Sequence, residues 1–153
     1  MTEKKLEKIL VVEDNPTHLA DAKAFFEGVE GLEVFYARTF EQAEGFIPRS
    51  GESRVDGVIT DVFLPIGRTY RGRSRDEDPI GLLVAAECHM QGIPFVFCTA
   101  GYHHGLKYNW INMMQRTMQW PEMIDAARDD TEAEHKNWER AYEALKQTLE
   151  DNQ

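Results

Sequence analysis

Three short apolar runs, Ile9-Leu10-Val11-Val12, Val58-Ile59-Thr60 and Phe95-Val96-Phe97-Cys98, are continuous or nearly so instead of alternating with polar residues. A strand with one wet face alternates. A strand that is apolar on both sides must be covered on both faces, as in parallel sheets sandwiched between helices. Each run also ends in polar chemistry: Glu13-Asp14 after the first, Asp61 after the second, Thr99 after the third. Pro65, four residues past Asp61, turns the chain away. If the runs are neighbouring parallel strands, three carboxylates and a threonine meet at the carboxyl edge of the sheet, where open α/β folds bind ligands. Three acids that close repel one another unless a cation sits among them, and oxygen ligands suit a hard ion such as Mg²⁺.

Helical patterns separate the runs. Pro16 to Phe26 carries Leu19, Ala22, Phe25 and Phe26 on one stripe, with Asn15 as N-cap and Pro16 at the first helical position. Gly31 to Ala37 reads as a second strand, Thr39 to Phe46 as a short helix closed by Pro48, Ile80 to Met90 as a third helix ending at Gly92, and Leu106 to Met118 as a fourth. Its methionines and Trp110 are expected as core contacts, though a Met-rich face also suits a partner-binding helix. A last helix is expected over Glu132 to Leu149, with Thr131 and Glu134 as a capping box and Trp138, Ala141, Tyr142, Leu145 and Leu149 as its apolar stripe. A fifth strand should fall near Trp120 to Ala126, against the grain of Pro121.

The 153 residues can bury about two-thirds of their unfolded surface, enough for one domain without disulfides. Cys88 and Cys98 are expected as buried free thiols of a reducing compartment. No apolar run is long enough to span a bilayer, so a soluble, cytoplasmic protein is expected. With 27 acidic against 17 basic side chains, a net charge of −10 argues against general nucleic-acid binding, which needs a basic face. Residues 66 to 79 stand apart as a long polar loop containing Arg68, Arg71, Arg73 and Arg75, then Asp76, Glu77 and Asp78. Loops of that length inside compact domains tend to be functional or disordered, and arginine forks match phosphate oxygens. His103 and His104 have no Cys or acid at ligand spacing and read as solvated loop residues.

Taken in order, Val11-Val12-Glu13-Asp14-Asn15, Asp61-Val62-Phe63-Leu64-Pro65 and Thr99-Ala100-Gly101 resemble the receiver domain of two-component response regulators, well over residues 8 to 101 and loosely beyond. The resemblance implies a doubly wound, flavodoxin-like three-layer α/β sandwich with a five-stranded parallel sheet. It implies a stand-alone receiver over residues 1 to 153, with about 66 to 79 as an insertion. Asp61 would accept a phosphoryl group; Glu13, Asp14, Asp61 and the backbone carbonyl of Phe63 would hold Mg²⁺; Thr99 would hydrogen-bond the phosphoryl oxygens. The implied partners are a sensor histidine kinase or phosphotransfer protein and a downstream protein target, with no nucleic acid and no membrane. Such a domain is a signalling module and not a dedicated enzyme, beyond its own phosphorylation and dephosphorylation.

Two departures bear on that expectation. The family's phosphate-binding lysine ends the fifth strand and is usually followed by proline, whereas Trp120 precedes Pro121 here and no lysine lies between Lys107 and Lys136. Lys136, expected in the first turns of the last helix, is the leading substitute, with Lys107 and the loop arginines Arg68 and Arg71 behind it. The second departure is the arginine-rich insertion. A missing lysine would favour a pseudo-receiver, a phosphorylation-independent protein-binding module. A Mg²⁺-dependent phosphohydrolase is disfavoured, because Phe63 stands where that chemistry wants a second carboxylate.

Overall fold

A computed structural model describes residues 5–47, 54–67, 78–99, 109–125 and 135–151. Five strands, β1 (Glu7–Val12), β2 (Leu32–Ala37), β3 (Gly57–Thr60), β4 (Phe95–Thr99) and β5 (Met123–Asp125), alternate with five helices, α1 (Pro16–Glu27), α2 (Phe40–Glu44), α3 (Gly81–Gln91), α4 (Asn109–Thr117) and α5 (Trp138–Asp151). The sheet runs in the order β2-β1-β3-β4-β5 and every pairing is parallel. This is the expected doubly wound α/β architecture.

The continuous apolar runs divide between two cores. Leu10, Val12, Val58, Phe95 and Phe97 face one layer with Phe40, Val84, Ala85 and Ile111 from α2, α3 and α4. Ile9, Val11, Ile59, Val96 and Cys98 face the other, with Ala22 and Phe26 of α1 and Trp138, Ala141, Leu145 and Leu149 of α5. Side chains alternate across a strand, so a strand with a helical layer on each side needs apolar residues at every position. The α5 stripe is where periodicity put it. Both cysteines are buried free thiols.

Caps account for most helix ends. The Asn15 side chain accepts from the amides of Thr17 and His18 while Pro16 opens α1. Thr39 accepts from Gln42 at the start of α2, and Gly92 closes α3 with φ of 70°, a conformation that suits glycine.

Four expectations shift. The second helix is shorter than predicted, ending at Glu44 before Gly45; Pro48 lies outside the described residues. β5 begins at Met123, so Pro121 stands ahead of the ladder and removes no strand donor. In α4, Ile111 is buried and Met114 packs on the core, but Trp110 and Met113 are exposed, at 49% and 55%. One helical stripe is all that the sheet can cover, and these two side chains lie off it. The last helix starts at Trp138 and not at Glu132: Asn137 Oδ1 accepts from the Arg140 amide at 3.1 Å and is the actual N-cap. Thr131 and Glu134, the expected capping box, lie outside the described residues, as do Ala100, Gly101, His103, His104, Lys107 and the loop arginines 68, 71, 73 and 75.

Both ends of the 66–79 segment are tied to the fold. Phe40 and Glu41 donate their backbone N–H groups to the carbonyls of Pro65 and Ile66, and Leu64 bridges to Pro79.

Candidate functional site

Parallel register assembles the acids. Val12 pairs with Thr60, so the residues that follow, Glu13 and Asp61, leave adjacent strands side by side. The Asp61 amide donates to the Val12 carbonyl at 2.9 Å and the Glu13 amide to that of Ala37, also at 2.9 Å. These bonds hold both turns at the sheet edge after the ladders stop. Glu13 and Asp61 are buried; Asp14 is half-buried. One carboxylate oxygen from each of Glu13, Asp14 and Asp61 can be chosen so that all lie within 4.8 Å of one another. The turn around Asp61 is tight: its Oδ1 accepts from the Val62 amide at 2.7 Å, and a Cβ on Gly81 would stand 1.9 Å from the Asp61 carbonyl oxygen. Only glycine lets α3 start this close.

Lys136 completes the cluster. Its Nζ lies 3.1 Å from Asp61 Oδ2 and hydrogen-bonds Glu13 Oε2 as well. The ammonium is buried and sits 5.5 Å from the centre of the Trp138 ring. It stands in the irregular stretch between β5 and α5, not in a helical turn. Its side chain is held there by the two carboxylates. Just ahead of it, His135 Nδ1 lies 2.7 Å from Asp21 Oδ2 and links this stretch to α1.

The electrostatics follow from burial and charge. Burial pushes the Glu13 carboxyl up to about 7, aided by Asp61 and opposed by Lys136. Burial also works against the Lys136 charge, but Asp61 and Glu13 outweigh it and hold the ammonium above its ordinary value. Lys136 therefore stays charged at neutral pH.

Thr99 ends β4, buried, in register with Asp125 and one strand away from Asp61. Phe63 lies two residues past Asp61 in the turn leading to α3, half-buried against the α2–α4 layer. The fold thus gathers Glu13, Asp14, Asp61 and Lys136 in direct proximity and sets Thr99 and Phe63 on the flanking edges. The donor set of the cluster is carboxylate oxygen, the ligand type of a hard ion such as Mg²⁺.

Two residues near the site gave no signal that was used in the sequence. His18 is buried four residues after Asp14, one turn into α1, and its Nδ1 has no hydrogen-bond partner. Burial, then Lys136, pushes this imidazole below its ordinary range, against Asp61 and Asp21 and with His135. Arg38 follows β2 directly and donates from Nη2 to the Asp14 carbonyl at 3.2 Å; only the pairing of β2 with β1 reveals it.

Known proteins of the same shape are receivers. The chain superposes on a response regulator receiver domain protein from Methanospirillum hungatei with a TM-score of 0.64 at 20% identity, covering 96% of both chains. A response regulator receiver protein from Sinorhizobium medicae gives 0.61 at 16% identity, covering 99% of this chain and 100% of that one. A phosphorylated cyanobacterial phytochrome response regulator gives 0.52 at 17% identity over 95% of this chain and 92% of its own. No family model matches the sequence, and no curated protein does. The chain has the response-regulator receiver fold.

Proposed function

We propose that this chain is a receiver-type phosphoryl acceptor, one domain over residues 1 to 153, that signals through protein contacts. The observation that carries the reading is Lys136 at 3.1 Å from Asp61 Oδ2, inside a three-carboxylate cluster at the carboxyl edge of the sheet. An acidic cluster alone is common. A buried cation poised on one oxygen of the acceptor carboxylate is what a site needs that must stabilise a transferred, doubly charged group.

In this reading Asp61 is the nucleophile, and Lys136 is the cation that meets a phosphoryl oxygen. Thr99, at the end of the neighbouring strand, supplies a hydroxyl to the same group. Glu13, Asp14, Asp61 and the Phe63 carbonyl would hold Mg²⁺, which when bound neutralises charge on the transferring phosphoryl. Phosphorylation moves Lys136 from a carboxylate partner to a phosphoryl partner, and this exchange biases a two-state surface at the ends of β4 and β5. The donor would be the phosphohistidine of a sensor kinase or phosphotransfer protein, and the reader a downstream protein. The pseudo-receiver alternative leans on a missing lysine, and Lys136 beside Asp61 supports the acceptor reading over it.

Intact mass after incubation with acetyl phosphate and Mg²⁺ tests the reading. One added phosphoryl group is expected in the parent and none in Asp61→Asn. Chelation of the metal should abolish the change. An unmodified parent would leave the binding-module reading standing.

A further inference from the structure

The acids that would accept a phosphoryl group also repel the anions that would bring one. Asp14 is shared between the carboxylate cluster and a groove of about 710 Å³, with Gln42, Pro65 and Gly67 along its walls. Among the described residues lining this groove the one cation is Arg38. Its guanidinium is exposed and is steadied by the bond to the Asp14 carbonyl, while its own amide donates to Gln42 Oε1 at 2.7 Å. An arginine fork carries five N–H donors, so one bond to a carbonyl leaves several for a ligand. Asp14 and Glu41 are the acidic walls, the Glu41 carboxylate lying against Gly67.

We propose that Arg38 is the specificity-determining residue for small acyl phosphate donors, binding the carboxylate leaving group in this groove; the inference rests on Asp61 being the acceptor. The groove meets the acceptor cluster at Asp14, and the acyl side of a donor held at Asp61 would lie in it. In the transfer, a bond forms between an Asp61 carboxylate oxygen and phosphorus as the bond from phosphorus to the acyl oxygen breaks. The electron pair leaves with the carboxylate, and no proton moves. Charge develops on that leaving oxygen, and a guanidinium recognises a carboxylate with two parallel hydrogen bonds. A donor that releases a neutral amine gains nothing from the same group.

The test compares acetyl phosphate, which releases acetate, with phosphoramidate, which releases ammonia, at saturating Mg²⁺ and with phosphorylation read by intact mass. Arg38→Ala should lower the ratio of the acetyl phosphate rate to the phosphoramidate rate about tenfold, the loss of one charge-assisted contact. Arg38→Lys should recover part of that ratio. An unchanged ratio overturns the proposal, and an equal fall with both donors does so too, since it would assign Arg38 to holding the Asp14 turn. Parent protein that takes a phosphoryl group from neither small donor nor from a phosphohistidine protein would instead defeat the acceptor reading itself. Transfer only from a phosphohistidine protein, with the small donors inert, would also overturn the Arg38 assignment while leaving Asp61 in place.

Discussion

The centre of the sheet and its β5 edge deliver opposite charges to the same place by different means. At the centre, β1 and β3 are short, wholly buried where they pair, and in strict register, so Glu13 and Asp61 emerge side by side from two rigid turns. At the edge, β5 is three residues long and is followed by a stretch outside the described residues before Lys136 arrives two residues ahead of α5. The centre is preorganised by backbone hydrogen bonds. The lysine is positioned largely by the charges it meets, by the Trp138 face and by the His135 link to α1. The proposed switch would use this division, with the candidate acceptor Asp61 on a rigid turn and the cation beside it held by side-chain contacts.

The strongest way to break the comparison is at the rigid half. Gly81→Ala would drive a methyl into the Asp61 carbonyl, which is backbone and cannot swing aside. We expect a loss of about 3 kcal/mol in denaturant unfolding together with weakened Mg²⁺ binding. If the variant is as stable as the parent, the Asp61 turn is softer than described.

Lys136→Met probes the adaptable half. It removes a buried cation from Glu13 and Asp61, leaving two buried carboxylates to repel, and should cost about 3 kcal/mol at pH 7 without metal. Mg²⁺ should then raise the melting temperature of the variant more than that of the parent. Equal increments in the two proteins would mean that the lysine does not compensate the acids.

Asn137→Ala should cost about 1 kcal/mol, the ordinary value of an N-cap, because Asn137 Oδ1 holds the Arg140 amide. No change would return the start of α5 to an earlier residue.

The smallest expected effect concerns His18. Its imidazole is held below its ordinary value in the folded chain, so the neutral ring contributes stability that is present above the unfolded value of 6.5 and is lost as pH falls through the folded one. Unfolding free energy of the parent should therefore fall more steeply than that of His18→Leu between pH 7 and pH 5, by at most about 1.4 kcal/mol per pH unit, the slope of one proton. Parallel curves would mean that His18 is solvated or paired in solution.

How far the sequence could be read tracks the same division. The strand runs, the acids at their ends, the Asn15 cap and the α5 stripe were legible because each is a local pattern: continuous apolarity, a carboxylate after a strand, a spacing of three and four. Trp110 and Met113 were misplaced because apolarity alone does not say which stripe of α4 the sheet covers. Lys136 was identified as a candidate but set inside a helix, because Thr131 and Glu134 satisfy a capping pattern and nothing local reports a carboxylate that lies more than 100 residues away along the chain. By itself, then, the sequence determined the α/β class and the acids at the sheet edge, since these depend on hydrophobic period and on residues next to strands. The tertiary structure decided which lysine meets Asp61, where α5 begins, and that Arg38 caps the Asp14 turn. Those contacts join segments distant in sequence, and only strand order and the cost of burying charge bring them together.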